Sequence, residues 1–305
     1  MATALVLTLT FVVIEALAGW RAHSLALVSD AGHNFADAAA LGLSWYAMAI
    51  ARRRATTTMT FGYHRVGVLA ALVNAASLVF IALIIFWEAF VRFGHPEAVD
   101  PTLMIAVAAV AVVLNTAISM SLRKGRDDLN VRSAYLHMLG DAVSAGGVVV
   151  AGIVVRVSGA HQADPIVSVL IGVLILWSSW GILRECLTVL LEGAPGEVNV
   201  DAIESALRSI PNVGDVHHVH AWTISSGFLA CSCHVVPLVA GVDEQQQILE
   251  EAQRMLEGRF DFHHTTIQIE SARCVDADRA CGPAESASSG PGRGSAAGVT
   301  PSDRA

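Results

Sequence analysis

Ser29-Asp30-Ala31-Gly32-His33-Asn34-Phe35-Ala36-Asp37 sets a His and an Asp four residues apart inside an apolar run. The same spacing returns in His137-Met138-Leu139-Gly140-Asp141, again among apolar residues. Residues i and i+4 stack on one face of an α-helix, so each segment offers one imidazole and one carboxylate from one side. Two such helices facing each other place two nitrogens and two carboxylates around a point. That is the donor set of a tetrahedral divalent-metal site of the zinc type. Small residues flank both pairs, Gly32, Ala36 and Ala40 in the first and Gly140, Ser144 and Ala145 in the second. Small residues let helix backbones approach closely.

These pairs sit in the sequence of a membrane protein. The chain has 305 residues, of which 54% are hydrophobic and only 15% charged, with a mean hydropathy of +0.55; soluble domains carry roughly 25% charged residues. Six segments, approximately 4–20, 25–50, 66–92, 101–122, 132–157 and 164–191, reach the length of about 20 apolar residues that crossing a hydrocarbon core requires. Asp100-Pro101 and Asp164-Pro165 open the fourth and sixth, since Pro is tolerated in a first helical turn. An Asp at the centre of a membrane helix costs roughly 2.5–3.5 kcal/mol on insertion scales. His33, Asp37, His137 and Asp141 are therefore expected to hold an ion rather than merely pair. Asp30, one turn before His33, is expected toward the outer mouth, as a gate group or an extra ligand. Glu15, Asn34, Asn74 and Asn115 read as hydrogen-bonding groups facing other helices.

Basic residues orient the helices. Arg52, Arg53, Arg54 and Arg65 fill the loop after the second segment, and Arg123, Lys124, Arg126 and Arg132 the loop after the fourth, against single arginines (Arg21, Arg92, Arg156) in the other three. These two loops and both termini are expected in the cytoplasm. With no basic n-region and no cleavage site, the first segment reads as a membrane helix and not a signal peptide.

Gly193-Ala194-Pro195-Gly196 closes the apolar part, so residues 1–193 read as a six-helix transport domain. Residues 197–272 hold eleven acidic and three basic residues, which accounts for the whole net charge of −8; such a chain is a poor partner for nucleic acid. Within them the pattern is α-β-β-α-β: an amphipathic helix over 200–210, strands over 213–224 and 228–238 around Ser225-Ser226-Gly227, a helix over 243–256 and a strand over 265–270. This is a small α/β domain of ferredoxin-like or metallochaperone-like form. Residues 273–305, rich in Gly, Ser, Ala and Pro, are expected to be disordered. The five cysteines read as reduced thiols facing a cytosol. Cys231 and Cys233 are expected on the buried side of their strand, opposite His234, while Cys274 and Cys281 are candidates to cap a cytoplasmic site.

Ser24-Leu25-Ala26-Leu27-Val28-Ser29-Asp30-Ala31-Gly32-His33, followed by Asp37, resembles the second helix of cation diffusion facilitators, a family of proton-coupled metal exporters. Thr60-Phe61-Gly62-Tyr63-His64-Arg65 is similar to the loop leading into their third helix, His137 to Asp141 to their fifth-helix pair, and Asp164-Pro165-Ile166 to the start of the sixth. Val216-His217-His218-Val219-His220-Ala221-Trp222 and Thr265-Thr266-Ile267-Gln268-Ile269-Glu270 resemble the family's cytoplasmic domain. The resemblance covers about residues 4–272. It implies a homodimer of six-helix exporters with a cytoplasmic metal-binding domain, and His33, Asp37, His137 and Asp141 as transport ligands. It also implies a cytoplasmic zinc site of His217, His234, His263 and Glu270, in which His218 and His220 compete with His217, and His264 with His263. In this family two His plus two Asp go with zinc, often with some cadmium. The loop from Leu122 to Val131 is short and lacks His, unlike that of many vesicular members, which points to a bacterial-type exporter of the plasma or inner membrane.

The expectation is efflux of Zn²⁺, with Cd²⁺ and other divalent transition metals as further cargo, in exchange for protons. Binding needs neutral imidazole and ionised carboxylate and therefore releases protons. A passive metal channel on the same site is the rival, and a four-ligand cage argues against it because tight binding slows release. An intramembrane metalloenzyme would need an open metal position and a general base. No His-Glu-x-x-His is present, nor a Gly-x-x-x-x-Gly-Lys phosphate loop for ATP. The chain reads as a transporter and not an enzyme, with lipid, metal ions, protons and a second copy of itself as partners.

Overall fold

Six long helices stand where the apolar runs stand. The computed structural model describes residues 2–123, 129–196 and 198–272, so the expected tail over 273–305, with Cys274 and Cys281, lies outside the described residues. The helices are α1 (Ala2–Arg21), α2 (Leu25–Ala51), α3 (Val66–Gly94), α4 (Pro101–Leu122), α5 (Leu129–Ser158) and α6 (Ala163–Leu190). By length and composition, α3, α4, Ala134–Ser158 of α5 and α6 are apolar enough to cross a membrane. α2 carries Asp30, His33, Asn34 and Asp37 in its middle, which lowers its hydropathy; the groups that define the candidate site also mask the helix that bears them. The chain forms two compact units, one containing α1–α6 and one containing α7 and α8 (below).

In the first unit α4 lies along α5 and α3 along α6, while α2 packs against α1, α3 and α6 and meets α5 only over a short stretch. The shared core holds Leu27, Leu78, Ile85, Met104, Val148 and Ile171, with Ala26, Ala82 and Ala108 between them. At Gly19 a Cβ would lie 2.9 Å from the Val28 amide nitrogen, so α1 can approach α2 only with glycine there. Phe80, Trp87, Phe90, Val157, Trp177 and Trp180 point outward and are exposed, a surface suited to lipid and far too apolar for water.

Two Asp residues start helices. Asp100 caps α4, accepting from the Thr102 and Leu103 amides at 2.9 and 3.3 Å, as an N-cap Asp before Pro should. Asp164 was expected to open α6 and does lie in its first turn, yet its carboxylate reaches the start of α2. It accepts from Ser24 Oγ at 2.6 Å and from the Leu25 and Ala26 amides at 2.7 and 3.2 Å, and Arg92 Nη1 stands 3.8 Å away. The first amides of a helix have no partner within it, and this buried carboxylate satisfies two of them from another helix.

The second unit follows the α-β-β-α-β order. α7 (Val200–Arg208) buries Ile203, Ala206 and Leu207; α8 (Val242–Phe260) buries Ile248, Ala252 and Leu256 at i, i+4, i+8. β1 (Val213–Ser225), β2 (Phe228–Pro237) and β3 (Phe262–Ile269) form one sheet in that order. The β1–β2 turn places Gly227 at φ +70°, where a side chain is disfavoured. The Glu270 amide donates to the Val235 carbonyl at 2.9 Å, and the His263 ring lies 6.2 Å from that of Phe228. Seven residues therefore separate both pairs on each strand, and β3 runs parallel to β2, with α8 as the crossover. Cys231 and Cys233 face the core with the thiols buried and His234, next in the strand, on the other face. Contact with the Cys231 sulfur, and then burial, push the Cys233 pKa up, so it stays a thiol.

Candidate metal centres

α2 and α5 run antiparallel, and their polar residues meet as rungs one helical turn apart. Asp37 Oδ2 lies 3.3 Å from His137 Nε2, and His33 Nε2 lies 3.5 Å from Asp141 Oδ1. One turn further, Ser144 Oγ donates to Asp30 Oδ1 at 3.2 Å. Within each helix the i, i+4 pairs stand at 3.5 Å (His33–Asp37) and 3.7 Å (His137–Asp141). A tetrahedral ion with bonds of about 2.0–2.1 Å has ligand–ligand edges of roughly 3.4 Å, and the four His–Asp edges bracket that value. The His33 and His137 rings meet edge-on with centroids 6.1 Å apart, and His33, Asp37 and Asp141 each offer a ligand atom within 4.8 Å of the other two. Asp37 Oδ2 is buried and accepts no hydrogen bond, although two imidazole nitrogens lie within 3.5 Å of it.

The structure thus brings together His33, Asp37, His137 and Asp141. His33 lies about 12 Å along α2 from Leu25 and Asp37 about 21 Å from Ala51, at 1.5 Å per residue, so the group stands well inside the bundle. Asp141 is 7% exposed and His137 44%; the site opens on the His137 side. Asp30 stands one rung away, on Ser144, and Asn34 Nδ2 donates to Glu15 Oε2 at 3.1 Å, the interhelical bond expected of both.

A second group forms on the sheet. His217 Nε2 is 3.1 Å from Glu270 Oε2, and His234 Nδ1 is 2.9 Å from Glu270 Oε1. Each of the three offers a ligand atom within 4.8 Å of the other two. His234 Nδ1 and Glu270 Oε2 are buried without a hydrogen bond, orphaned polar atoms that an ion would satisfy. His218 has φ +49° inside β1. This bulge suspends the usual alternation of faces, so the adjacent rings of His217 and His218 both pack on His234, at 5.3 and 5.1 Å. His220 stands beyond His218, at 6.3 Å.

His263, the fourth residue of the expected cytoplasmic set, does not join this group. It stands at the other end of β3, seven residues or roughly 20 Å from Glu270, on the opposite face of the strand. His264 is beside it and exposed. Asp215 is a neighbour that sequence reasoning missed: its Oδ2 lies 3.3 Å from His217 Nδ1, and Arg208 holds its other oxygen at 2.8 Å. The signal was present in the strand period of two, which sets Asp215 and His217 on one face.

A family model described as the cation efflux transmembrane domain matches residues 1–191, and one described as the cation efflux protein cytoplasmic domain matches residues 195–272. The chain belongs to the cation diffusion facilitator family. Among curated relatives, the metal cation efflux system protein CzcD of Cupriavidus metallidurans is 38% identical over 91% of this chain and 88% of its own length. The zinc transporter ZitB of Pectobacterium atrosepticum is 37% identical over 90% and 85%. A Bacillus subtilis protein named as a cadmium, cobalt and zinc/H(+)-K(+) antiporter is 34% identical over 86% and 85%. The solved metal-bound C-terminal domain of CzcD is 33% identical over 24% of this chain and 99% of that one, with a TM-score of 0.22. This family member is a multi-pass membrane protein of the divalent-metal efflux type.

Proposed function

We propose that this facilitator exports Zn²⁺ from the cytoplasm, with Cd²⁺ as a second cargo, in exchange for protons, and that His33, Asp37, His137 and Asp141 carry the ion across. The observation that supports this most is the quartet itself: two nitrogens and two carboxylates from two antiparallel helices, at the edge lengths of a small tetrahedral ion. Two imidazoles with two carboxylates suit zinc better than the all-oxygen shells of magnesium or calcium. Protons enter the scheme because imidazole changes charge near neutral pH and the metal-binding form of each ligand is the deprotonated one. The names of the zinc- and proton-exchanging relatives support the same reading. Loop arginines support cytoplasmic termini in a plasma or inner membrane.

In proteoliposomes loaded with a zinc-sensitive dye, uptake is expected to follow an imposed pH gradient and to vanish when the gradient is collapsed. Flux indifferent to the gradient returns the passive-channel reading.

His217, His234 and Glu270 form a cytoplasmic zinc site in this proposal, His263 standing apart unless a second copy supplies it. Two domains of net charge −8 each repel in a homodimer, and bound dications offset that repulsion. A Glu270→Ala chain is expected to bind one zinc ion fewer per protomer in equilibrium dialysis while retaining transport at saturating zinc. Unchanged stoichiometry would remove Glu270 from the site.

A further inference from the structure

Next to the quartet, on its outer side, two carboxyl groups are buried together. Glu15 of α1 is wholly buried and Asp30 of α2 is 1% exposed. Asn34, which bonds Glu15, lies one turn from Asp30 on the same face of α2, so the two carboxyl groups share one stretch of the α1–α2 interface. Asn34 donates to Glu15 Oε2 and Ser144 to Asp30 Oδ1, yet Glu15 Oε1 is buried with no hydrogen bond at all. Asn34 and His33 of α2 and Ser144 and Asp141 of α5 surround the pair, and among the described residues neither carboxyl group forms an ion pair with Lys or Arg. Two carboxylates buried away from bulk solvent and without a Lys or Arg partner do not keep two charges side by side; one proton between them removes the conflict. Nor does the surrounding favour a metal ion, because the amide and hydroxyl present hydrogens to these oxygens.

Asp30 occupies the rung next to His33–Asp141, about 4.5 Å along the helix axis, and forms no ion pair with either histidine of the quartet. A dication in the quartet therefore acts on the pair through space rather than through a shared ligand.

We infer that Glu15 and Asp30 form a proton-binding site separate from the metal ligands, whose occupancy alternates with that of the quartet. This rests on the antiport reading above. With a dication in the quartet, its charge expels the proton from the pair. With the quartet empty, the pair takes up one proton from the outer water, and releases it to the cytoplasm when the next dication enters. One bound proton and one bound metal ion exclude each other by charge alone, which couples the two fluxes without requiring the metal ligands themselves to carry the proton.

The test uses the full chain in zinc-dye liposomes, with zinc binding to the purified chain measured by equilibrium dialysis. Glu15→Gln keeps the shape and removes the titrating group. It is expected to keep zinc binding at the quartet and to lose zinc accumulation driven by a pH gradient. Glu15→Gln with wild-type dependence on the gradient overturns the inference, as does loss of zinc binding together with transport, which would make Glu15 a packing residue. Asp30→Asn carries the same prediction, and the same overturning results, should Glu15→Gln fail to fold. If the wild type ignores the gradient, the antiport reading fails; a pH-driven wild type with an equally pH-driven Glu15→Gln sinks this inference alone.

Discussion

An Asp141→Ala chain is expected to bind zinc in the membrane domain more weakly by well over the roughly 10–100-fold that loss of an outer-shell partner costs a metal site, and to transport none at micromolar zinc. Asp141 faces both imidazoles, at 3.5 Å from His33 and 3.7 Å from His137, so its removal takes away the residue common to two edges of the cage. Asp37→Ala is expected to behave alike. Stability separates a ligand from a structural partner. Breaking a buried pair that holds a fold together costs about 3–5 kcal/mol. Here the metal-free protein should melt no lower after the substitution, because it also sheds a carboxylate crowded beside Asp37. A thermal scan in detergent without metal, set beside a transport assay, reads both. Full transport in Asp141→Ala, or a large loss of metal-free stability, contradicts the assignment.

Asp164→Ala is expected to give the opposite profile. This fully buried carboxylate takes hydrogen bonds from the Ser24 hydroxyl and the Leu25 and Ala26 amides. Removing it strands three buried donors and leaves Arg92 without one of its acidic neighbours. The expected cost is about 3–5 kcal/mol, seen as a lowered melting temperature, with zinc binding per folded chain retained. Asp164→Asn, which keeps an acceptor for Ser24 or an amide, should fall between the two. Melting equal to wild type in Asp164→Ala would show that α2 is held at its start by other means.

Much of this architecture was legible in the residue order, and the misses have physical reasons. Apolar runs of about 20 residues marked the helices because a bilayer imposes one length; the starts of α1, α5 and α6, at Ala2, Leu129 and Ala163 rather than 4, 132 and 164, were read late. The i, i+4 spacing fixed which side chains share a face, but not the register of α2 against α5. That register is tertiary, and with it came the Asp30–Ser144 rung that spacing alone could not show. Asp164 looked like a start signal for its own helix because a cap is a local pattern, whereas its partners lie 138–140 residues away. On the sheet, β3 starts at Phe262, three residues earlier than read, since His263-His264-Thr265 offers no apolar alternation. The direction of β3 decides the cytoplasmic group: running parallel to β2, it delivers Glu270, the residue just past its end, to His234 and leaves His263 at the opposite end.

α2 leans on α1, α3 and α6 and α5 on α4, whereas the two ligand-bearing helices barely touch. α6 packs on both of them and bridges that seam, so the cargo would act as a second clasp beside it. The apolar core shared by α2–α6 holds the bundle together whether the proposed cage is filled or empty, and an ion there would add a tie between the two helices that bear its ligands. The traveller would then serve as the latch of the door it passes through.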